Sequence, residues 1–218
     1  MSDIRLRFSK TGLAKYISHL DLMRIFTRAM SRCDIPVKFT EGFNKRAYLV
    51  FGSPLSLGFE SLCEFVEFDI TEEMAPQEIQ DKMNRSLPLG IHIEDAYQPT
   101  AKMKEIEWGK FTFRWECGAD DALLEEIQKL FSREELVLLK KTKRGESYID
   151  ILPLIESLSF RREGQDIVGE AVLPQNGNMT LGPQYLLRAV QENIPTFHSE
   201  YESYLREYFL TKNHEIFR

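Results

Sequence analysis

The side chains best suited to chemistry lie near the start of the chain. His19 sits in Ser18-His19-Leu20-Asp21, where the serine is a natural helix cap and Asp21 can complete a capping box. A helix N-terminus favours negative charge and lowers a neighbouring imidazole's proton affinity. His19 therefore has the placement of a phosphate contact or a neutral acid/base. No serine, cysteine or carboxylate stands at a spacing that assigns it a partner. A partly buried histidine bonded to backbone is the structural alternative. Arg24, Arg28 and Arg32 recur every four residues and form one basic stripe along the same helix. Further on, Glu41-Gly42-Phe43-Asn44-Lys45-Arg46 joins a turn glycine to an aromatic, an amide and two cations. Phe43 offers a stacking face, Asn44 can bond a base or carboxyl edge, and Lys45 and Arg46 can pair with phosphate. Stacking on one base contributes about 1–3 kcal/mol. The same residues are good turn formers, and Phe43 packing down onto the body is the competing reading. A third loop, Asn176 to Pro183, leads into a helix. It lacks glycine-rich phosphate motifs and reads as an ordinary strand-to-helix connection.

The elements that must hold these residues follow from periodicity. Arg5 to Ser9 alternates at period two and predicts a strand. The helix begun at Ser18 runs to about Asp34, where Ile35-Pro36 ends it. Its inward face is Leu22, Phe26, Ala29, Met30 and Cys33. A strand is expected over Ala47–Phe51, a Gly- and Pro-containing loop over Gly52–Gly58, and a strand from Cys63 to Ile70. A helix from Pro76 to about Leu87 and a strand Ile91–Tyr97 complete the order β-α-β-β-α-β, the split pattern of ferredoxin-like folds.

Residues 98–105 read as a linker. A second series follows: strand Lys110–Cys117, helix Asp120–Phe131, strand Leu136–Lys140, a turn at Arg144-Gly145 and strand Ser147–Leu152. Strands at 158–162 and 167–173 and a helix over 183–193 close it. The expectation is thus an α+β protein of two ferredoxin-like units in tandem, the second decorated, with domains at 1–97 and 106–195. The aromatic and charged tail, 196–218, is expected to form a C-terminal helix.

Bulk properties limit the function classes. The chain has 218 residues, 43% of them hydrophobic and 28% charged, ordinary for a globular protein with a substantial core. No apolar run approaches the roughly 20 residues of a membrane helix. The alternation of charge and aliphatic residues from Met1 to Arg7 does not suit a signal peptide, so a cytoplasmic location and no membrane partner are expected. Cys33, Cys63 and Cys117 are far apart and without Cys-x-x-Cys spacing, which fits reduced thiols and argues against a cysteine-ligated metal centre. No metal or cofactor is expected. The net charge of −6 conceals an asymmetry. Residues 1–58 carry ten basic against four acidic side chains, whereas the rest carries eighteen against thirty. A basic segment on an acidic protein can focus an anion onto one face.

Tyr16-Ile17-Ser18-His19-Leu20-Asp21-Leu22-Met23-Arg24, with Arg28, Pro36, Glu41-Gly42-Phe43-Asn44 and Pro54-Leu55-Ser56-Leu57-Gly58, resembles the bacterial radical SAM-linked protein family. Members are a domain of unknown function, either the C-terminal part of cobalamin-type radical SAM proteins or separate proteins encoded beside them. The resemblance is specific over residues 3–95 and looser to residue 190. Where the family usually has Gly-Phe-Asn-Pro, then a basic residue and proline, this chain has Gly42-Phe43-Asn44-Lys45-Arg46-Ala47, so its loop lacks the prolines and keeps a cation at Arg46. The resemblance implies a separately encoded radical SAM protein as partner. The chain lacks the Cys-x-x-x-Cys-x-x-Cys motif of such enzymes and is not itself the radical enzyme. A fainter likeness, at the level of fold, is to ferredoxin-like RNA-processing proteins of CRISPR systems.

Three functions fit these residues. The first is a non-catalytic module binding RNA, tRNA or rRNA rather than DNA. Its anion-binding residues would be His19, Arg24, Arg28, Phe43, Asn44, Lys45 and Arg46. The second is a metal-independent endoribonuclease with His19 as acid or base. The third is a protein-interaction subunit docking through the acidic half and the tail.

Overall fold

The computed structural model describes residues 3–142 and 145–218. Of the sequence expectations, Met1-Ser2 and Arg144 of the turn at Arg144-Gly145 lie outside the described residues. The chain divides into two compact units, one made of residues up to Ile106 together with Arg206–Arg218, the other of Glu107–Leu205. Both mix helices with antiparallel strands, so the protein is α+β. Among the described residues, no helix is long and apolar enough to cross a membrane.

In the first unit the order is β1 (Ile4–Lys10), α1 (His19–Arg32), β2 (Val50–Phe51), β3 (Glu60–Phe68), α2 (Pro76–Ser86) and β4 (Ile91–Tyr97). β1 lies between β4 and β3, and β2 pairs with β3, all antiparallel. The end of the last strand, β10 (Tyr201–Thr211), is a further neighbour of β3. Alternation in β1 sends Ile4, Leu6 and Phe8 to one face, where they meet Leu22, Phe26, Ala29 and Met30 of α1 and Ile79 and Met83 of α2. Phe8 and Phe26 are fully buried with ring centres 4.8 Å apart. Burying each is worth about 1.5–3 kcal/mol. The opposite face of the sheet carries Arg5, Cys63 and Phe65, with Phe209 and Phe217 packed on them. Gly90, at φ +86, makes the turn into β4 and comes so near Thr11 that a Cβ would lie 2.4 Å from its carbonyl oxygen. Only glycine meets both conditions.

The expected strand over Ala47–Phe51 shortens to its last two residues, Val50–Phe51. The reason is local: Ala47 bridges Phe39 and Tyr48 N–H donates to Lys38 O, so this stretch closes a loop.

In the second unit the order is β5 (Ile106–Glu116), α3 (Asp121–Leu130), β6 (Val137–Thr142), β7 (Gly145–Asp150), β8 (Ser157–Glu163), β9 (Asp166–Pro174), α4 (Gln184–Asn193) and the start of β10. β9 pairs antiparallel with β5 and β8, while β6 and β7 form a separate hairpin. Phe111, Phe113 and Trp115 alternate inward along β5, and the last two stack at 4.9 Å. They share the interior with Ile167, Ala171 and Leu173 of β9.

The expected C-terminal helix is corrected: the tail is an eleven-residue strand, Tyr201–Thr211. Tyr201, Tyr204 and Tyr208 have helical spacing, but Tyr, Phe and Thr also favour strands. An open sheet edge supplies pairing partners that a lone helix would lack.

Candidate nucleic-acid interface

Two separate constructions in the first unit hold the predicted residues. The first surrounds the N-terminus of α1. Ser18 caps the helix, its Oγ accepting from Asp21 N–H at 3.1 Å and donating to the Asp21 carboxylate at 2.7 Å. The cap is the one predicted, except that Asp21 meets the serine hydroxyl instead of its backbone N–H. Ser18 and Arg24 together hold the Asp21 carboxyl below its usual range. His19 is exposed, with its ring edge-to-face on Phe51 at 5.3 Å. It forms one side of a small recess with Lys10, Phe51, Ser53, Pro54 and Glu64. No hydrogen bond or ion pair joins the His19 side chain to another described residue, so the backbone-bonded alternative does not hold.

Beneath His19 lies a set of buried charges that sequence reasoning missed. Lys10 is 2% exposed, and its Nζ donates to Ile17 O at 2.8 Å and Lys15 O at 3.4 Å. Burial lowers its pKa, against the opposing attraction of Glu64. Glu64 accepts from the equally buried Arg206 at 2.7 Å. Arg206 also donates to Ser53 O and Pro54 O at 3.1 and 3.3 Å. Gly58 N–H donates to Lys15 O at 2.9 Å. These bonds bring together two segments far apart in sequence, Tyr16–Arg24 and Pro54–Gly58. A signal for Glu64 existed, since it interrupts the apolar run from Leu62 to Val66. Arg206 had none, because its segment read as a helix.

The basic stripe divides. Arg24 and Arg28 are exposed, Arg24 pairing with Asp21 at 3.0 Å. Arg32 instead turns to the end of α2, donating to Ser86 O at 2.9 Å and Ser86 Oγ at 3.0 Å, where a cation suits the helix C-terminus.

The second construction is the loop 40–46. It is closed at its base by Thr40 N–H to Arg46 O at 2.8 Å and Arg46 N–H to Thr40 Oγ1 at 3.1 Å. Gly42, at φ +114, turns the chain at the tip. Phe43 projects fully into solvent, and Asn44, Lys45 and Arg46 are all exposed beside it. Phe43 does not pack down. No hydrogen bond, ion pair or ring contact among the described residues joins loop 41–46 to His19, Arg24 or Arg28. The arrangement offers an uncovered aromatic face beside two cations and a separate basic helix face.

In the second unit, Asn176 Oδ1 accepts from the N–H groups of Asn178 and Met179 at 3.0 and 2.7 Å. That loop is closed on itself, as an ordinary connection.

A chain in the crystal structure of a Cbf5–Nop10–Gar1 complex has a similar fold, with a TM-score of 0.53 over 95% of this chain at 7% identity. This chain spans about half, 49%, of that chain. An unknown protein from Galdieria sulphuraria, 8% identical, aligns over 94% of this chain and 98% of its own with a TM-score of 0.29, too low to bear on the fold. No curated protein matches. The family model described as an uncharacterized protein conserved in bacteria (DUF2344) matches residues 3–183, most of the chain, and the protein belongs to that family.

Proposed function

We propose that the protein is a non-catalytic RNA-binding module, acting on a tRNA or rRNA segment alongside a separately encoded radical SAM enzyme. The observation that carries this reading is Phe43. Its ring is fully exposed, and it stands on a glycine turn beside Asn44, Lys45 and Arg46. Single-stranded nucleic acid suits such a combination, with a base on the ring and phosphates on the cations. Arg24 and Arg28 would extend the phosphate track and His19 would add a hydrogen bond. The partner rests on the resemblance of the Ser18–Arg24 and Pro54–Gly58 segments to the radical SAM-linked family.

We also read each unit as ferredoxin-like. The strand orders β4-β1-β3-β2 and β10-β5-β9-β8 both follow the sequence fourth, first, third, second. On this reading the tail supplies the fourth strand of the second unit, and the β6–β7 hairpin is its decoration.

His19 supports binding better than catalysis. A general acid or base needs a group that orients it, and the His19 ring rests edge-to-face on Phe51 with no side-chain hydrogen bond to another described residue. The test is fluorescence anisotropy against folded tRNA at several salt concentrations, with Phe43→Ala and Arg24→Glu/Arg28→Glu variants in parallel. Binding that steepens with falling salt and is weakened in both variants supports the reading. Undiminished binding in both variants, or none in the wild type, overturns it.

A further inference from the structure

On the face of the first unit's sheet that lies away from α1 and α2 there is a cavity of about 540 Å3, within the size range of small-molecule sites. Arg7, Asp95 and Tyr97 line it from two neighbouring strands. Arg7 and Asp95 are direct cross-strand partners, and Tyr97 lies two residues along from Asp95. Facing side chains of this kind stand about 5–7 Å apart. Arg7 and Asp95 nevertheless form no ion pair, and neither side chain has a hydrogen-bond partner among the described residues. The Tyr97 hydroxyl is buried without one as well. The neighbouring Arg5, its direct cross-strand partner, lies against it without a well-formed hydrogen bond, its guanidinium donating to Glu67, to Ala101 O and to Arg218 O. That contrast matters: the sheet carries two arginines side by side, one fully bonded and the other bare toward the cavity. Cys63, Ile216 and Phe217 supply apolar wall. Burial pushes the Cys63 thiol up to about 12, so at neutral pH it is a wall atom and not a nucleophile.

We infer that this cavity binds one amino-substituted nucleobase, of the cytosine or adenine type, through its exocyclic amine and the adjacent ring nitrogen. Asp95 accepts from the amine, Arg7 donates to the ring acceptor, and Tyr97 donates to the next acceptor or to the sugar. This pairing of one carboxylate with one neighbouring donor matches an amino base and opposes uracil, whose corresponding edge presents a carbonyl to Asp95 and an N–H to Arg7. With the base in place over these side chains, a polar group left without its partner is what gives such a site its discrimination. The base can arrive as a free nucleotide or as an unstacked residue of a strand, since the edge chemistry is the same. The inference does not depend on loop 40–46, so a failure of the RNA reading leaves it standing.

The experiment is isothermal titration of the full chain with cytidine, adenosine and uridine monophosphates, and with short oligonucleotides containing a single cytosine or adenine in a uridine tract. Wild type, Asp95→Asn, Tyr97→Phe and Phe43→Ala are compared. Cytidine or adenosine monophosphate is expected to bind roughly ten- to hundredfold more tightly than uridine monophosphate. Asp95→Asn should abolish that preference, because its amide can donate to the uracil carbonyl. Asp95 is exposed, and its replacement leaves the sheet bonding in place. Phe43→Ala should lower oligonucleotide affinity overall while leaving the preference for cytosine or adenine over uridine intact. Binding of free nucleotides identifies the ligand as a nucleotide, and binding of the oligonucleotides alone identifies it as a base in a strand. Equal affinity for all three nucleotides, an unchanged preference in Asp95→Asn, or no binding of nucleotide and oligonucleotide alike overturns the inference.

Discussion

The first unit uses charge in two opposite ways. Under His19, Lys10, Glu64 and Arg206 are removed from water and bonded to one another or to the backbone of the segments they hold. On loop 40–46, Lys45 and Arg46 stay in water beside a bare phenyl ring. A buried charge left without its partner is expensive, so the first group fixes one geometry. An exposed charge contributes little to folding and remains available to a ligand. The residues shaping the α1 entrance are therefore not those that meet the outside.

Replacing members of each group separates stability from binding. The largest effect is expected for Arg206→Met, which strands Glu64: a loss of about 3–5 kcal/mol in urea unfolding. A loss below about 1 kcal/mol would mean that the cluster is hydrated and the contrast is weaker than drawn. Phe43→Ala should leave urea unfolding unchanged while weakening RNA binding by about 1–3 kcal/mol, read by anisotropy. A destabilised but fully binding variant would invert the assignment.

Lys10 gives the buried group a pH signature. Its folded pKa lies below the unfolded value of 10.5 because burial disfavours the ammonium. Between those two values the unfolded chain binds more protons, so this residue's contribution to stability rises with pH, by at most ~1.4 kcal/mol per pH unit. Below the folded pKa its contribution is constant. Denaturation of wild type and Lys10→Met from pH 8 to 10.5 should show wild type gaining on the variant; parallel curves would mean that Lys10 is ionised as freely folded as unfolded. Ser18→Ala removes the cap of α1 and should cost about 1 kcal/mol. The smallest effect is expected for Arg28→Ala, which should spare stability and lower the salt slope of RNA binding by ~1. An unchanged slope would remove Arg28 from the phosphate track.

Much of the first unit was legible because its signals are local. Ser18 fixed the start of α1, Pro36 lies just past its end, and the apolar periodicity of Leu22, Phe26, Ala29 and Met30 named its buried face. The exposure of Phe43 was not legible: Glu41–Arg46 suits both a packed turn and a projecting one, and only the bridge from Phe39 to Ala47 decides between them. Arg32 was indistinguishable from Arg24 and Arg28 in sequence, because its partner Ser86 lies on another helix.

The α+β character, most element boundaries and the basic segment that carries the candidate interface follow from local residue patterns, since each depends on neighbours within a few turns or one strand repeat. Tertiary structure alone decided that the tail is a strand, that Glu64 meets Arg206, and that Arg7, Asp95 and Tyr97 face one cavity. Those outcomes depend on which strands become neighbours. A strand edge accepts any segment whose backbone can reach it, so that choice is made by burial over the whole unit and leaves no pattern at the residues themselves.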